Sequence, residues 1–185
     1  MTAKGTTKKT KDKQKTFQNE YPFEYMKQVL TFVRDRNEPE NKAHNKVILN
    51  AAFRHANDCV YPNYCSKKAL AVAKAKDINL QQMTWATQTA HDKNRKIFHL
   101  EHCYTVYDLV ERVLETNDAI ESILHDNITA WVLKTENALL DSAANPAKQS
   151  FRKQRVKYGG WEKCYEVCKI ELEENKTAPK RNNNI

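Results

Sequence analysis

No glycine occurs between Gly5 and Gly159. That gap removes every glycine-rich phosphate loop from the body of the chain, so neither a P-loop nor a dinucleotide fingerprint is present. It also removes the tight glycine hairpins on which large antiparallel sheets depend. Proline is missing as well, from Pro62 to Pro146. A chain without either breaker over its middle can run in long helices, so the fold expected is mainly α with a small β element, an α+β class.

Apolar spacing gives the same answer. In YPFEYMKQVLTFVRDR, Tyr25, Val29, Phe32 and Val33 recur at three and four residues, the period of a helix with one apolar face. A second helix is expected through NKVILNAAFRHA, burying Val47, Ile48, Ala51 and Ala52. Ser66 is placed to cap an alanine- and lysine-rich helix. Residues 77–94 also read as helical. Val106, Leu109, Val110, Val113 and Leu114 mark a further helix, and Asn117 or Asp118 can cap a short one ending near His125. ITAWVL, residues 128–133, is β-branched and aromatic and predicts a strand. KIFHLEHCY fits either period. A helix is expected from about Lys134, and a last one over WEKCYEVCKIELEE.

Charge divides the chain. The net charge is +8, and residues 1–16 hold six lysines against one aspartate. Residues 1–16 are therefore expected to be a disordered basic arm, residues 17–174 a single mainly helical domain, and residues 175–185 a disordered polar tail. Within the domain, 17–94 reads as the helical part and 95–174 as the candidate catalytic and binding part. No apolar run is long enough to span a bilayer, and the first residues lack a signal-peptide core. A cytoplasmic location and reduced thiols for the five cysteines are the corresponding expectations. Cys164 and Cys168, four apart on a helix, read as small buried residues rather than zinc ligands.

The densest polar cluster is HLEHC, with His99, Glu101, His102 and Cys103. On a strand, His99 and Glu101 share one face while His102 points the other way with Phe98 and Leu100. On a helix, His99, His102 and Cys103 share a face. The soft set suits zinc, and the Glu–His pair suits a hard ion or acid–base chemistry. Well-bonded histidines at an element's edge are the plain alternative. HxE also opens a zinc-deaminase signature, but the PCxxC that it requires does not follow.

The Glu101–His102 step at the end of a candidate strand, followed by ITAWVL and a helix start, resembles the acid–histidine step of HNH-type (ββα-metal) endonucleases of phage or restriction type. The resemblance covers about residues 95–140. It implies His102 as the general base and Glu101 as a ligand to a divalent metal ion such as Mg²⁺, with His99 in support. It also implies Asn137 as the later site residue, and Arg95 or Lys96 as phosphate contacts. The sequence departs from that family in having Glu rather than Asp at 101 and no proline soon after His102.

KQSFRKQRVKYGGW adds Arg152, Lys153, Arg155 and Lys157 with no acid among them, interleaved with Phe151, Tyr158 and Trp161. Arginine forks clamp phosphate oxygens, and exposed rings stack on bases. Nucleic acid is the expected partner, DNA before RNA. A metal-dependent endonuclease is the sharper expectation. A non-catalytic DNA- or RNA-binding accessory protein and a helical protein-interaction module are the alternatives.

Overall fold

A computed structural model describes residues 21–141 and 143–179. The basic arm at 1–16 and most of the tail beyond Asn175 lie outside these residues. The architecture is mainly α, with one small mixed sheet.

Helices α1 (Phe23–Asp35) and α2 (Lys42–His55) lead into β1 (Tyr64–Ser66), which runs directly into α3 (Lys67–Ala75). Ser66 caps α3, its hydroxyl accepting from the Ala69 amide at 3.0 Å. A short helix α4 (Gln88–His91) precedes β2 (Phe98–His102). Helices α5 (Val106–Glu115) and α6 (Ile120–His125) then separate β2 from β3 (Thr129–Leu133). Helix α7 (Lys134–Leu139) starts on the residue after β3. The chain closes with α8 (Trp161–Val167) and β4 (Leu172–Glu174). The sheet order is β2-β3-β1-β4, with β1 parallel to β3 and the other pairs antiparallel.

Three apolar clusters hold these elements. Met26, Leu30, Val33, Leu49, Phe53, Leu109, Val113, Ile123 and Leu124 join α1, α2, α5 and α6. Phe98, Trp131, Cys65, Met83 and Leu80 fill one face of the sheet against α3. Ala130, Val132, Cys103, Phe151, Cys164 and Tyr165 fill the other.

Several local expectations need correction. Helix α1 buries Met26, Leu30 and Val33, leaving Tyr25 and Phe32 exposed. Helix α2 turns Asn45, Leu49 and Phe53 inward and leaves Val47 and Ile48 outside. Leu49 and Phe53 remove more apolar surface than Val47 and Ile48 would, so the larger pair sets the phase. Residues 77–94 do not form one helix. Asp77 has φ 56°, and Thr84 and Thr87 exchange side-chain bonds with each other's amides, which replaces the helical ladder. Asp118 does not cap α6, because its carboxylate accepts from Arg112 Nε at 2.6 Å.

The last helix stops at Val167. Lys169 takes φ 54°, the Ile170 amide donates back to the Tyr165 carbonyl, and residues 172–174 pair with β1. Asn175 is buried, its amide donating to the Pro62 and Gln81 carbonyls at 2.9 and 2.8 Å. The chain is therefore ordered at the point where the polar tail was expected to begin.

Candidate functional site

Strand β2 is built by a carboxylate. Asp92 is buried and accepts from the amides of Lys96, Ile97 and Phe98 at 2.9 to 3.0 Å and from Gln88 Nε2 at 3.1 Å. Burial pushes its pKa up, but these bonds outweigh burial and hold the carboxyl below its ordinary value. The turn fixes where β2 begins, and hence which of its side chains face which way.

The strand reading of HLEHC is the one realised. His99 stands opposite Val132 and Glu101 opposite Ala130, on the face of the sheet that α7 covers. Phe98 and Leu100 take the other face. His102 follows the same alternation, yet it borders the same cleft as Glu101. The reason is topological: β2 has a strand on one side only, so side chains from both of its faces reach the space beside that edge.

That space is a cleft of about 710 Å³. Its walls carry His99, Glu101, His102 and Asn137, together with Arg152, Lys153 and Arg155 from the basic segment. The helical half contributes Lys46, Arg54, His55 and Asp58, none of which the sequence reading singled out. Arg54 and His55 lie in the last turn of α2, where a positive charge already has a local explanation in the helix dipole. Nothing local in the sequence signals that this turn faces β2.

Glu101 is the centre of a buried chain. Its Oε2 meets His99 Nε2 at 3.1 Å, and its Oε1 accepts a short hydrogen bond from Arg155. The Glu101 side chain is 14% exposed, His99 34% and Arg155 1%. Burial alone would raise the Glu101 pKa. The bond from His99 and the Arg155 charge overcome it and bring the carboxyl to about 2. Glu101 is thus a carboxylate throughout the physiological range.

Arg155 is not a surface clamp for phosphate. Its Nε donates to the Phe151 carbonyl at 2.8 Å, and one terminal nitrogen donates to the His102 and Cys103 carbonyls at 2.6 and 2.8 Å. The other terminal nitrogen takes Glu101. Its own amide donates to Asp108 Oδ2 at 3.1 Å, which ties the segment to the first turn of α5. The aromatic residues of the same segment are likewise not free to stack. Phe151 and Trp161 are buried, and Tyr158 packs edge-on against Phe151. Gly159 and Gly160, both at positive φ, reverse the chain there and deliver it into α8.

His102 is driven neutral. Burial lowers its pKa to about 4, against the opposing charge of Glu101 and with help from Arg54. Its Nδ1 is buried without a hydrogen-bond partner among the described residues, and the buried Asn127 side chain hydrogen-bonds the ring and opposes the fall in pKa.

The remaining predicted contacts scatter. Arg152 lines the cleft but its guanidinium lies 3.1 Å from Asp141. Lys153 lines it with its ammonium 5.6 Å above the Tyr107 ring. Arg95 sits over Trp85 with its guanidinium carbon 3.6 Å from the ring centre, and Trp85 forms part of the cleft wall. Lys96 is exposed and does not line the cleft. Lys157 belongs to a neighbouring, acidic groove with Asp108, Glu115 and Asp126.

A cation site can be judged from the donors. Among the described residues no group of three or more His, Cys, Asp or Glu side chains converges as a metal cage. The thiols near the cleft offer nothing: Cys103 is buried in the core, and burial raises Cys164 to about 11. A zinc centre therefore does not fit. One ionised carboxylate, an imidazole and an amide line the same cleft, the donor types of a hard ion of the Mg²⁺ kind that keeps most of its waters, and both carboxylate oxygens are already engaged by His99 and Arg155. Comparison with protein-family models, with characterised proteins and with solved structures gives no match.

Proposed function

We propose that this protein binds the phosphodiester backbone of nucleic acid in the cleft beside β2 and hydrolyses it there with a divalent metal ion. The observation that carries the reading is that His99, Glu101, His102 and Asn137 all line one cationic cleft. Two antiparallel strands followed directly by a helix, β2-β3-α7, support it further, since that is the frame of the ββα-metal nucleases that the sequence resembles. The connection from β2 to β3 carries two helices, a longer excursion than that frame needs. DNA is the expected polymer on the same resemblance.

Glu101 and His99 are the residues that would hold the ion, with Asn137 beside them. A divalent ion there would offset the negative charge that grows on the phosphoryl oxygens during attack. The rest is done by this chain's own groups. Arg155 keeps Glu101 ionised and fixed. His102, neutral above its depressed pKa, accepts the proton of the attacking water. The cations of the cleft hold the backbone in register. A plasmid-nicking assay tests the proposal. Cutting is expected with Mg²⁺ and not with EDTA, and His102→Ala should abolish cutting while binding stays within a few-fold. Absence of cutting with Mg²⁺, Mn²⁺ and Zn²⁺ alike defeats the hydrolytic reading.

One observation favours a second reading, binding without cleavage. Arg155 and His99 already engage both oxygens of Glu101. On that reading nucleic acid still binds with steep salt dependence, and no ion produces cutting.

A further inference from the structure

The charges of the cleft are not evenly matched. Its three carboxylates all have partners: Asp58 lies 2.7 Å from His55, Glu111 2.7 Å from Lys46, and Glu101 is held by His99 and Arg155. Arg152 is turned to Asp141. Two cations are left over. Arg54 is exposed at the last turn of α2, and its guanidinium has no hydrogen-bond or ion-pair partner among the described residues. Lys153 is exposed on the facing segment, with only the Tyr107 ring under it.

Both stand on the walls that carry His102, one from the helical half and one from the sheet half. A fork and a point charge lining one groove is an arrangement that recognises phosphate oxygens. The carbonyl end of α2 explains why a cation is tolerated at 54. It does not account for the absence of an acid partner, which Lys46, Arg152 and Arg155 all have.

We propose that Arg54 and Lys153 form a phosphate clamp across the cleft, a binding subsite for a backbone phosphate adjacent to the one that reacts. The clamp deepens the nucleic-acid reading and rests on it for the identity of the ligand. It assigns affinity to these two residues rather than to the basic run as a whole. Their neutralisation should cost binding directly, because no neighbouring acid shares their charge in the free protein. Lys46, on the same wall but already paired, should contribute little.

Fluorescence anisotropy with labelled single-stranded and duplex oligonucleotides, repeated over a salt series, tests this. Arg54→Gln and Lys153→Gln are each expected to raise Kd about tenfold and to lower the salt slope by about one. Lys46→Gln should change Kd less than about threefold, as an exposed paired charge does. All three positions are on the surface, and circular dichroism checks that the variants remain folded. The clamp is overturned if Arg54→Gln binds as the wild type does, or if Lys46→Gln loses as much. Calorimetry with inorganic pyrophosphate separates the two proposals. If pyrophosphate binds the wild type and not the Arg54→Gln/Lys153→Gln double variant, while no oligonucleotide binds, the clamp stands and nucleic acid is the wrong ligand. If neither pyrophosphate nor oligonucleotide binds, the clamp falls.

Discussion

The helical half and the sheet half bury different chemistry. Where α1, α2, α5 and α6 meet, the interior is mainly Leu30, Leu49, Phe53, Leu109, Val113 and Ile123 with the neutral Asn45, Asn57 and Asn127 buried at its edge, and the ion pairs Lys27–Glu121 and Lys42–Glu115 stay on the surface. Around the sheet, charged and polar groups go inside. Arg155, Asp92 and Asn175 are buried and hydrogen-bonded, and Glu136 is buried with one oxygen bonded to Ser66 and the Leu133 amide and the other, Oε1, without a partner among the described residues. Apolar packing tolerates volume-conserving exchange, whereas a buried charge fails when its partner is removed. The sheet half should therefore be the more brittle under substitution and the more sensitive to pH.

The largest expected effect tests that contrast most directly. Arg155→Ala leaves Glu101 and two carbonyls of the β2 end without their donor and should cost about 3–5 kcal/mol. Urea unfolding measures it, and a loss below about 1 kcal/mol would show that the buried chain is dispensable. Leu49→Ala in the helical half should cost about 2–5 kcal/mol by cavity formation, and Leu49→Met less than about 1.5. Equal losses for the two Leu49 variants would mean that the helical half is as intolerant as the sheet half.

The pH test comes next. His102 has its folded pKa lowered from 6.5 to about 4, so between those values only the unfolded chain takes up the proton. Stability is then fully present above pH 6.5 and is lost as pH falls towards 4, by about 2 kcal/mol at pH 5 and about 3 kcal/mol at pH 4. Glu101, lowered from 4.5 to about 2, adds a further loss below pH 4.5. Thermal melts at pH 7.5 and 5 should show the first drop in the wild type and a smaller one in His102→Asn. An equal drop would assign the titration to another group. Smallest of all, Lys27→Ala at an exposed pair should change stability by less than about 1 kcal/mol. A larger loss would contradict the account of the helical surface.

The same division governs what could be read from the sequence. β-Branched and aromatic residues identified β3, and the facing of His99 and Glu101 follows from strand alternation alone. Helix α5 is legible because a single apolar stripe runs along it. In α1 and α2 two stripes compete, and only packing against α5 and α6 chooses between them. The short β4 is Leu-Glu-Glu and continues a helical pattern, so its pairing with β1 is invisible without the sheet. Within the site, proximity in sequence found Glu101 and His102. The Arg155–Glu101 contact spans 54 residues and the cleft brings Arg54 to His102 across 48, and no local pattern encodes either. A run of basic residues showed charge, but not which member would turn inward.

The placement of the tryptophans makes the chain its own optical probe. There are three. Trp131 is buried with its indole N–H donating to the Met83 carbonyl, and Trp161 is buried beside Tyr64 and Tyr165. Trp85 alone is partly exposed, forming part of the cleft wall under the Arg95 guanidinium. Collisional quenchers in solution should therefore reach essentially one fluorophore. A ligand that fills the cleft shields that same indole, so occupancy can be followed in the unlabelled protein as a fall in its quenchable emission.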